Sequence, residues 1–170
     1  MGPLVRRSWA PRGHTPVLLQ RGRNRINVSV IAALVVTPRR RVRAYFGLLA
    51  GATFDGARVL AFLKQLCRAV RTPIELVWDR LNAHRGQPVR GWLESNAHRI
   101  RATLLPPYAP ELNPVELIWG YAKTNCLANF APHELDELID QTHIATQAIG
   151  SDHALLKSFL RHCALSFCLK

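Results

Sequence analysis

Two carboxylates stand out by where they fall in the chain. Asp79 ends the short apolar run Ile74 to Trp78, and Glu116 lies just inside a segment that Pro114 opens after the proline-rich stretch Pro106 to Pro110. Strand ends and the residues just beyond rigid loops are places where side chains are free to meet a ligand. Carboxylates converging from such positions hold hard divalent cations. A pair of cations roughly 3.5–4 Å apart activates an attacking oxygen and stabilises a leaving one. Asp79 and Glu116 could supply two members of such a ligand set.

Each of these residues also has a plainer explanation. Asn113 as N-cap, Pro114 as the first helical residue and Glu116 three residues after the cap spell a capping box, which is the favoured reading on local pattern. An Asp at a strand end is often a turn residue. A histidine in the position of His84 is more often a loop or core side chain than a ligand or base. Tyr108 and Trp119 have the flat faces that stack on an unpaired base, yet aromatics beside a proline loop or inside an amphipathic helix read as core.

The surrounding pattern specifies the elements that position these groups. Arg25 to Val36 (RINVSVIAALVV) is β-branched and apolar, and Val42 to Leu49 is a second extended run. Thr37, Pro38 and an arginine cluster lie between them, so the pair reads as a hairpin with a basic tip. Asp55 caps a helix over Ala57 to Val70, whose apolar residues recur at helical spacing. Ile74 to Trp78 reads as a buried strand, 80–87 as a loop leading into a short helix to Ser95, and Ile100 to Leu105 as another strand. Helices then follow from Pro114 to about Asn125, Pro132 to about Ile149, and Asp152 to about Cys168. Strands and helices in this order give an α/β or α+β fold with a mixed sheet.

The 170 residues suffice for one domain with a proper core. It divides into a basic segment with the hairpin (1–54), a motif core (55–130) and C-terminal helices (131–170). Lys and Arg number 23 against 11 Asp and Glu, a formal net charge of +12, and 19 of the bases are Arg. Residues 1–54 carry ten Arg and no acidic residue. That imbalance favours a polyanion, nucleic acid first, although a solvated basic surface is the bland alternative. Cys67, Cys126, Cys163 and Cys168 form no CxxC pair and match no zinc spacing, which fits a reduced cytoplasmic setting. No apolar run is long enough for a signal peptide or a membrane span.

Taken together, V-W-D-R-L-N-A-H and L-L-P-P-Y-A-P-E-L-N-P-V-E-L-I-W resemble the core of the mariner-like DDE transposases of bacterial insertion sequences. Arg7 to Val17 (RSWAPRGHTPV) is similar to the segment that follows the first strand in that family, and Leu127 to Phe130 to its tail, so nearly the whole chain is covered. The resemblance implies an RNase H-like mixed sheet flanked by helices. It also implies three carboxylates on two Mg²⁺ or Mn²⁺ ions that cut the element's DNA ends and join them to target DNA. Asp79 matches the second carboxylate and Glu116 the third. Asn82 and His84 match positions beside the second, where they would orient it or touch the scissile strand. DNA phosphates would meet Arg12, Arg21, Arg23, Arg25, Arg39, Arg40 and Arg41.

The family's first catalytic Asp sits on a strand before the Arg7 to Val17 segment, and only Met1 to Val5 precede Arg6 here. The expectation is therefore a domain without its first, central strand and first carboxylate, with open strand edges inside it. Arg80 stands where the family has Asn and places a cation next to the metal site. This reading is of a truncated transposase, nucleoid-associated and inactive by itself. A rival reading is a non-catalytic DNA-binding or dimerising remnant, a homodimer or a mixed assembly with intact transposase. A more distant one is an unrelated RNase H-like nuclease such as a Holliday-junction resolvase.

Overall fold

The computed structural model describes Arg7, residues 9–14, Val17 and residues 27–165. Arg21, Arg23 and Arg25 lie outside the described residues. The apolar run expected from residue 25 forms β1 (Val28–Val36), which returns as β2 (Val42–Ala50) in an antiparallel ladder from Val28↔Ala50 to Val36↔Val42. At the tip, Pro38 presets the turn. The Arg40 N–H donates to the Thr37 carbonyl (2.8 Å), and the Thr37 N–H donates to the Arg41 carbonyl (2.9 Å). Arg40 takes the left-handed φ of 58° that closes such a loop.

Next comes α1 (Gly56–Ala69), capped by the Asp55 carboxylate, which accepts from the Arg58 N–H at 2.9 Å. Its residues Val59, Phe62, Leu63 and Leu66 are buried, the i, i+3, i+4, i+7 stripe that an amphipathic helix turns inward. At the other end Arg99 replaces the usual C-terminal glycine. Its guanidinium donates to the carbonyls of Cys67 (2.7 Å), Val70 and Thr72, acceptors that the helix end leaves open.

β3 (Ile74–Trp78) runs parallel to β4 (Ile100–Leu104), joined by α2 (Asn82–Arg85) and α3 (Gln87–Ser95). The 80–87 stretch is thus not all loop. Asp79 accepts from the Leu81 N–H, and the Leu81 carbonyl from the His84 N–H (2.9 Å), which winds one helical turn. Nor is β3 buried on both faces. Trp78 packs with Val59, Leu63, Val89 and Ile100, whereas Glu75 and Val77 point outward, Val77 being 44% exposed. Among the described residues the strands form two separate pairs, β1–β2 and β3–β4.

The rest of the chain covers the hairpin. α4 (Pro114–Tyr121) ends earlier than Asn125. Thr124 Oγ1 donates to the Gly120 carbonyl (2.8 Å) and Asn125 Nδ2 to the Tyr121 carbonyl (3.1 Å). With side chains competing for the carbonyls, the backbone widens over Ala122–Cys126, where the Leu127 N–H reaches five residues back to Ala122 (2.9 Å). α5 (Leu135–Ser151) starts three residues after Pro132, at the point where the Glu137 carboxylate accepts from the His133 N–H (2.8 Å). α6 (His153–His162) is capped by Asp152, which was expected to open it, but stops well before Cys168. The Ala164 N–H then donates to the Glu111 carbonyl (2.9 Å), tying this end of the described chain to the turn before α4. No helix of the described residues is long and apolar enough to cross a membrane.

Side chains alternate across a strand, and the hairpin buries both faces. Even-numbered Leu34, Val36, Val42, Ala44 and Phe46 meet Ile118, Ile149, Leu156 and Leu160. Odd-numbered Ile31 packs into the second core, and Gly47 lies against Phe62 of α1. A strand covered on both sides reads as one continuous apolar run, which is why RINVSVIAALVV does not alternate.

Gly47 marks the tightest point of that packing. A Cβ there would sit 2.9 Å from Ile31 Cγ2 and 3.2 Å from Phe62 Cδ2, whereas one on Gly91 of α3 would meet open space. In urea unfolding Gly47→Ala is expected to lose about 1–3 kcal/mol, and Gly91→Ala to gain about 0.5–1 kcal/mol from helix propensity. Equal effects at both positions would contradict the close approach.

Candidate functional site

Asp79 leaves β3 at a corner held by main-chain and side-chain bonds. The Leu105 N–H donates to the Trp78 carbonyl (2.8 Å), and Arg80 Nε–H donates to the Leu105 carbonyl (2.8 Å). The Arg80 guanidinium is therefore anchored on the chain leaving β4. Asp79 Oδ1 accepts from the Leu81 N–H (3.0 Å) and lies 2.7 Å from His84 Nδ1. That second contact has ion-pair distance without hydrogen-bond geometry. It is full electrostatic attraction only while the ring is protonated. The imidazole is stacked on Trp78, with centroids 4.5 Å apart and planes within 5°. His84 is thus largely buried, its side chain 13% exposed, while that of Asp79 is 46% exposed.

Glu116 comes from the other side. The Asn113 side chain accepts from the Val115 N–H (3.1 Å), the N-cap expected of it. The other half of the capping box does not form. The Asn113 N–H, which the box would give to Glu116, donates instead to the Pro110 carbonyl (2.9 Å). Glu116 is exposed, and its carboxylate has no hydrogen-bond or ion-pair partner among the described residues.

Asp79, His84 and Glu116 line one cavity of about 850 Å³, which runs between β1 and β3 and is closed partly by Leu81, Leu105 and Trp119. Both carboxylates offer hard oxygen donors to it. A magnesium-like cation is commonly held by one or two carboxylates with substrate phosphates and water completing the shell, and carboxylate oxygens are the donor type such an ion takes. No group of three or more His, Cys, Asp or Glu converges among the described residues. Burial pushes the Cys67 and Cys126 thiols up, Arg99 pulling Cys67 partly back, so neither is a thiolate ligand at neutral pH.

The other sequence-selected residues scatter. Asn82 is exposed at the start of α2 and does not line the cavity. Arg39, Arg40 and Arg41 are exposed at the hairpin tip, beside Thr37 and Pro38, which do line it. Arg12 is exposed on a turn in which the His14 N–H donates to the Pro11 carbonyl. Tyr108 is not core. It is fully exposed and holds a left-handed φ of 56°, because Pro106, Pro107 and Pro110 leave its loop few other shapes. Trp119 does pack against the Ile118 core, while also touching the cavity. Sequence reasoning missed Trp78 as the platform for His84. Its only signal was an aromatic immediately before the Asp.

A family model described as DDE superfamily endonuclease matches residues 2–139. The chain belongs to the DDE superfamily endonucleases. No curated protein matches it. Among solved structures, the Mos1 mariner paired end complex with Mn is similar at a TM-score of 0.60 and 19% identity, covering 96% of this chain and 51% of that one. The Mos1 strand transfer complex is similar at a TM-score of 0.55 and 20% identity, covering 98% and 52%. This DDE superfamily chain therefore has the RNase H-like mixed α/β fold of the mariner transposase catalytic domain. It spans about half the length of those solved chains.

The Tyr108 backbone gives a measurable test of the proline loop. A non-glycine residue in the left-handed region costs about 1–2 kcal/mol, and an exposed side chain returns little of it. Tyr108→Gly is expected to raise the unfolding free energy by about 0.5–1 kcal/mol in chemical denaturation. A clear loss would mean that the ring packs.

Proposed function

We propose that this chain is the C-terminal part of the catalytic domain of a bacterial insertion-sequence transposase, with Asp79 and Glu116 as the second and third metal-binding carboxylates. The observation that carries this reading is that a strand end and a helix start bring the two side chains to one cavity, with Glu116 free of competing partners among the described residues. Magnesium or manganese ions, when bound, would supply Lewis-acid activation of the attacking oxygen and stabilisation of the leaving one. The chain's own groups do the positioning. Trp78 fixes the His84 ring beside Asp79, and the Leu81 N–H holds Oδ1 of Asp79 at the border of the cavity. The arginines of residues 1–54 and of the hairpin tip would track the phosphates of the element's ends and of target DNA.

Within residues 1–78 no acidic residue falls at the motif position of the family's first carboxylate. Upstream of Asp79 the acidic residues are Asp55 and Glu75. Asp55 is engaged as the α1 cap, and Glu75 lies on the outer face of β3, accepting from Thr103 Oγ1 (3.3 Å). We therefore expect no cleavage by this polypeptide alone. A second reading, a DNA-binding or dimerising remnant that mixes into assemblies of intact transposase, is favoured by the same shortage of ligands.

Manganese titration by calorimetry distinguishes them. Cation binding by the intact chain should weaken at least tenfold in Asp79→Asn and in Glu116→Gln. Arg80→Asn should tighten it several-fold, the direction expected on removing a nearby like charge under strong screening. Binding unaffected by either carboxylate substitution would overturn the ligand assignment. Salt-sensitive DNA binding unchanged in both variants would favour the remnant, and robust nicking by the chain alone would refute the missing ligand.

A further inference from the structure

Two side chains beside the carboxylate corner are held firmly at the base and unengaged at the tip. The first is Tyr108. With Pro107 it forms the centre of the turn that follows β4. Turns with Pro at the second position and a left-handed third residue usually carry Gly at the third, and a bulky side chain with a φ of 56° is an outlier there. Packing does not offset the strain, because the ring is fully exposed and makes no ring contact or hydrogen bond among the described residues. A single exposed apolar side chain is ordinary on a protein surface. One held outward against backbone strain is not, and such strain gathers where ligands are contacted.

The second is Arg80. Its Nε–H is bound to the carbonyl of Leu105, the residue just before the proline turn, which fixes the guanidinium plane. The two terminal amino groups have no partner among the described residues, and the neighbouring Asp79 lies against His84 instead. A guanidinium held in this way presents its remaining donors as a fork, the geometry that grips a phosphate. From Leu105 to Tyr108 the chain spans at most about 11 Å, so cation and ring are tied to the same short segment. That segment starts at Leu105 and returns at Leu112, both of which border the cavity that Asp79 and Glu116 line. Tyr108 projects from the middle of it, outside the cavity.

We propose that Arg80 and Tyr108 form a subsite for an unpaired stretch of DNA beside the carboxylates, the guanidinium taking a backbone phosphate and the ring stacking on a base; this rests on the DNA reading above. Bases inside a duplex are covered on both faces by their neighbours, so a lone ring finds a free face only on a base that is unpaired or terminal. The net charge of +12 draws the strand in without regard to sequence. A phosphate on Arg80 also offsets the repulsion that this residue exerts on a cation at Asp79.

The test measures DNA binding by the full chain in EDTA, using a blunt duplex and a duplex with a short single-stranded overhang and the same number of phosphates. The overhang DNA should bind at least about fivefold more tightly, the low end of one aromatic–base stack. Tyr108→Phe should keep that preference, and Tyr108→Ala should abolish it while leaving the affinity for the blunt duplex unchanged. Arg80→Gln should weaken overhang binding and lower its salt dependence by about one phosphate contact, which Arg80→Lys should retain. Equal binding of the two DNAs by the unsubstituted chain, a preference that survives Tyr108→Ala or is lost in Tyr108→Phe, or an unchanged salt slope in Arg80→Gln would overturn the subsite and leave DNA binding in place. Binding of neither DNA would overturn the subsite and the DNA reading together. The absence of free metal keeps these outcomes separate from the manganese titration.

Discussion

A strand paired on one side still has a second edge, and backbone groups at an unpaired edge cannot be satisfied by apolar side chains. In this protein that constraint falls on β1 and β3. Each is paired on one side, and each borders the same apolar space on the other. Helices close the faces of the hairpin well, with Ile118, Ile149 and Leu156 fully buried against it. No described strand closes the edges. Among the described residues, the division of the strands into two pairs and the large cavity at the carboxylates go together with those open edges.

The carboxylate corner is organised independently of the gap. Trp78 is the last residue of β3, and its indole faces inward as the strand alternation demands. This puts a flat surface under α2, and His84 lies down on it. The ring then sits beside Asp79, five residues earlier in sequence, because a single helical turn folds back on the strand end. Glu116 has no such support. It depends on the proline-rich turn and on Asn113, whose backbone is held by Pro110 and whose side chain caps the helix. One carboxylate is pre-oriented and the other is free to swing.

Much of this was legible in the residues. The Asp55 and Asn113 caps, the hairpin, the β3 and β4 segments and the opening of α4 at Pro114 are all signalled locally, by side chains that bond to their own neighbouring backbone or by period and turn chemistry. The misreadings share a cause, which is competition that a local pattern does not reveal. Glu116 fits a capping box, but the Asn113 N–H is taken by a carbonyl from the preceding turn. The helix from Pro114 has good propensity through Asn125, yet Thr124 and Asn125 bond back to the carbonyls and widen it. Tyr108 looks like core by type, but three prolines dictate the loop and turn it outward. The pairing of the four strands needed the whole fold, since no local feature says which edges meet.

The parity of the hairpin has a mechanical consequence. Even positions from Leu34 to Phe46 belong to one core, while Ile31 and Gly47 face the other, so sliding β1 by one residue along β2 would disturb both at once. Such a slip is forbidden twice over, and the hairpin behaves as a stiff beam set between two anchors. Arg39, Arg40 and Arg41 stand on the projecting end of that beam. A force applied at those guanidinium groups is carried without bending into the wall that the two cores share.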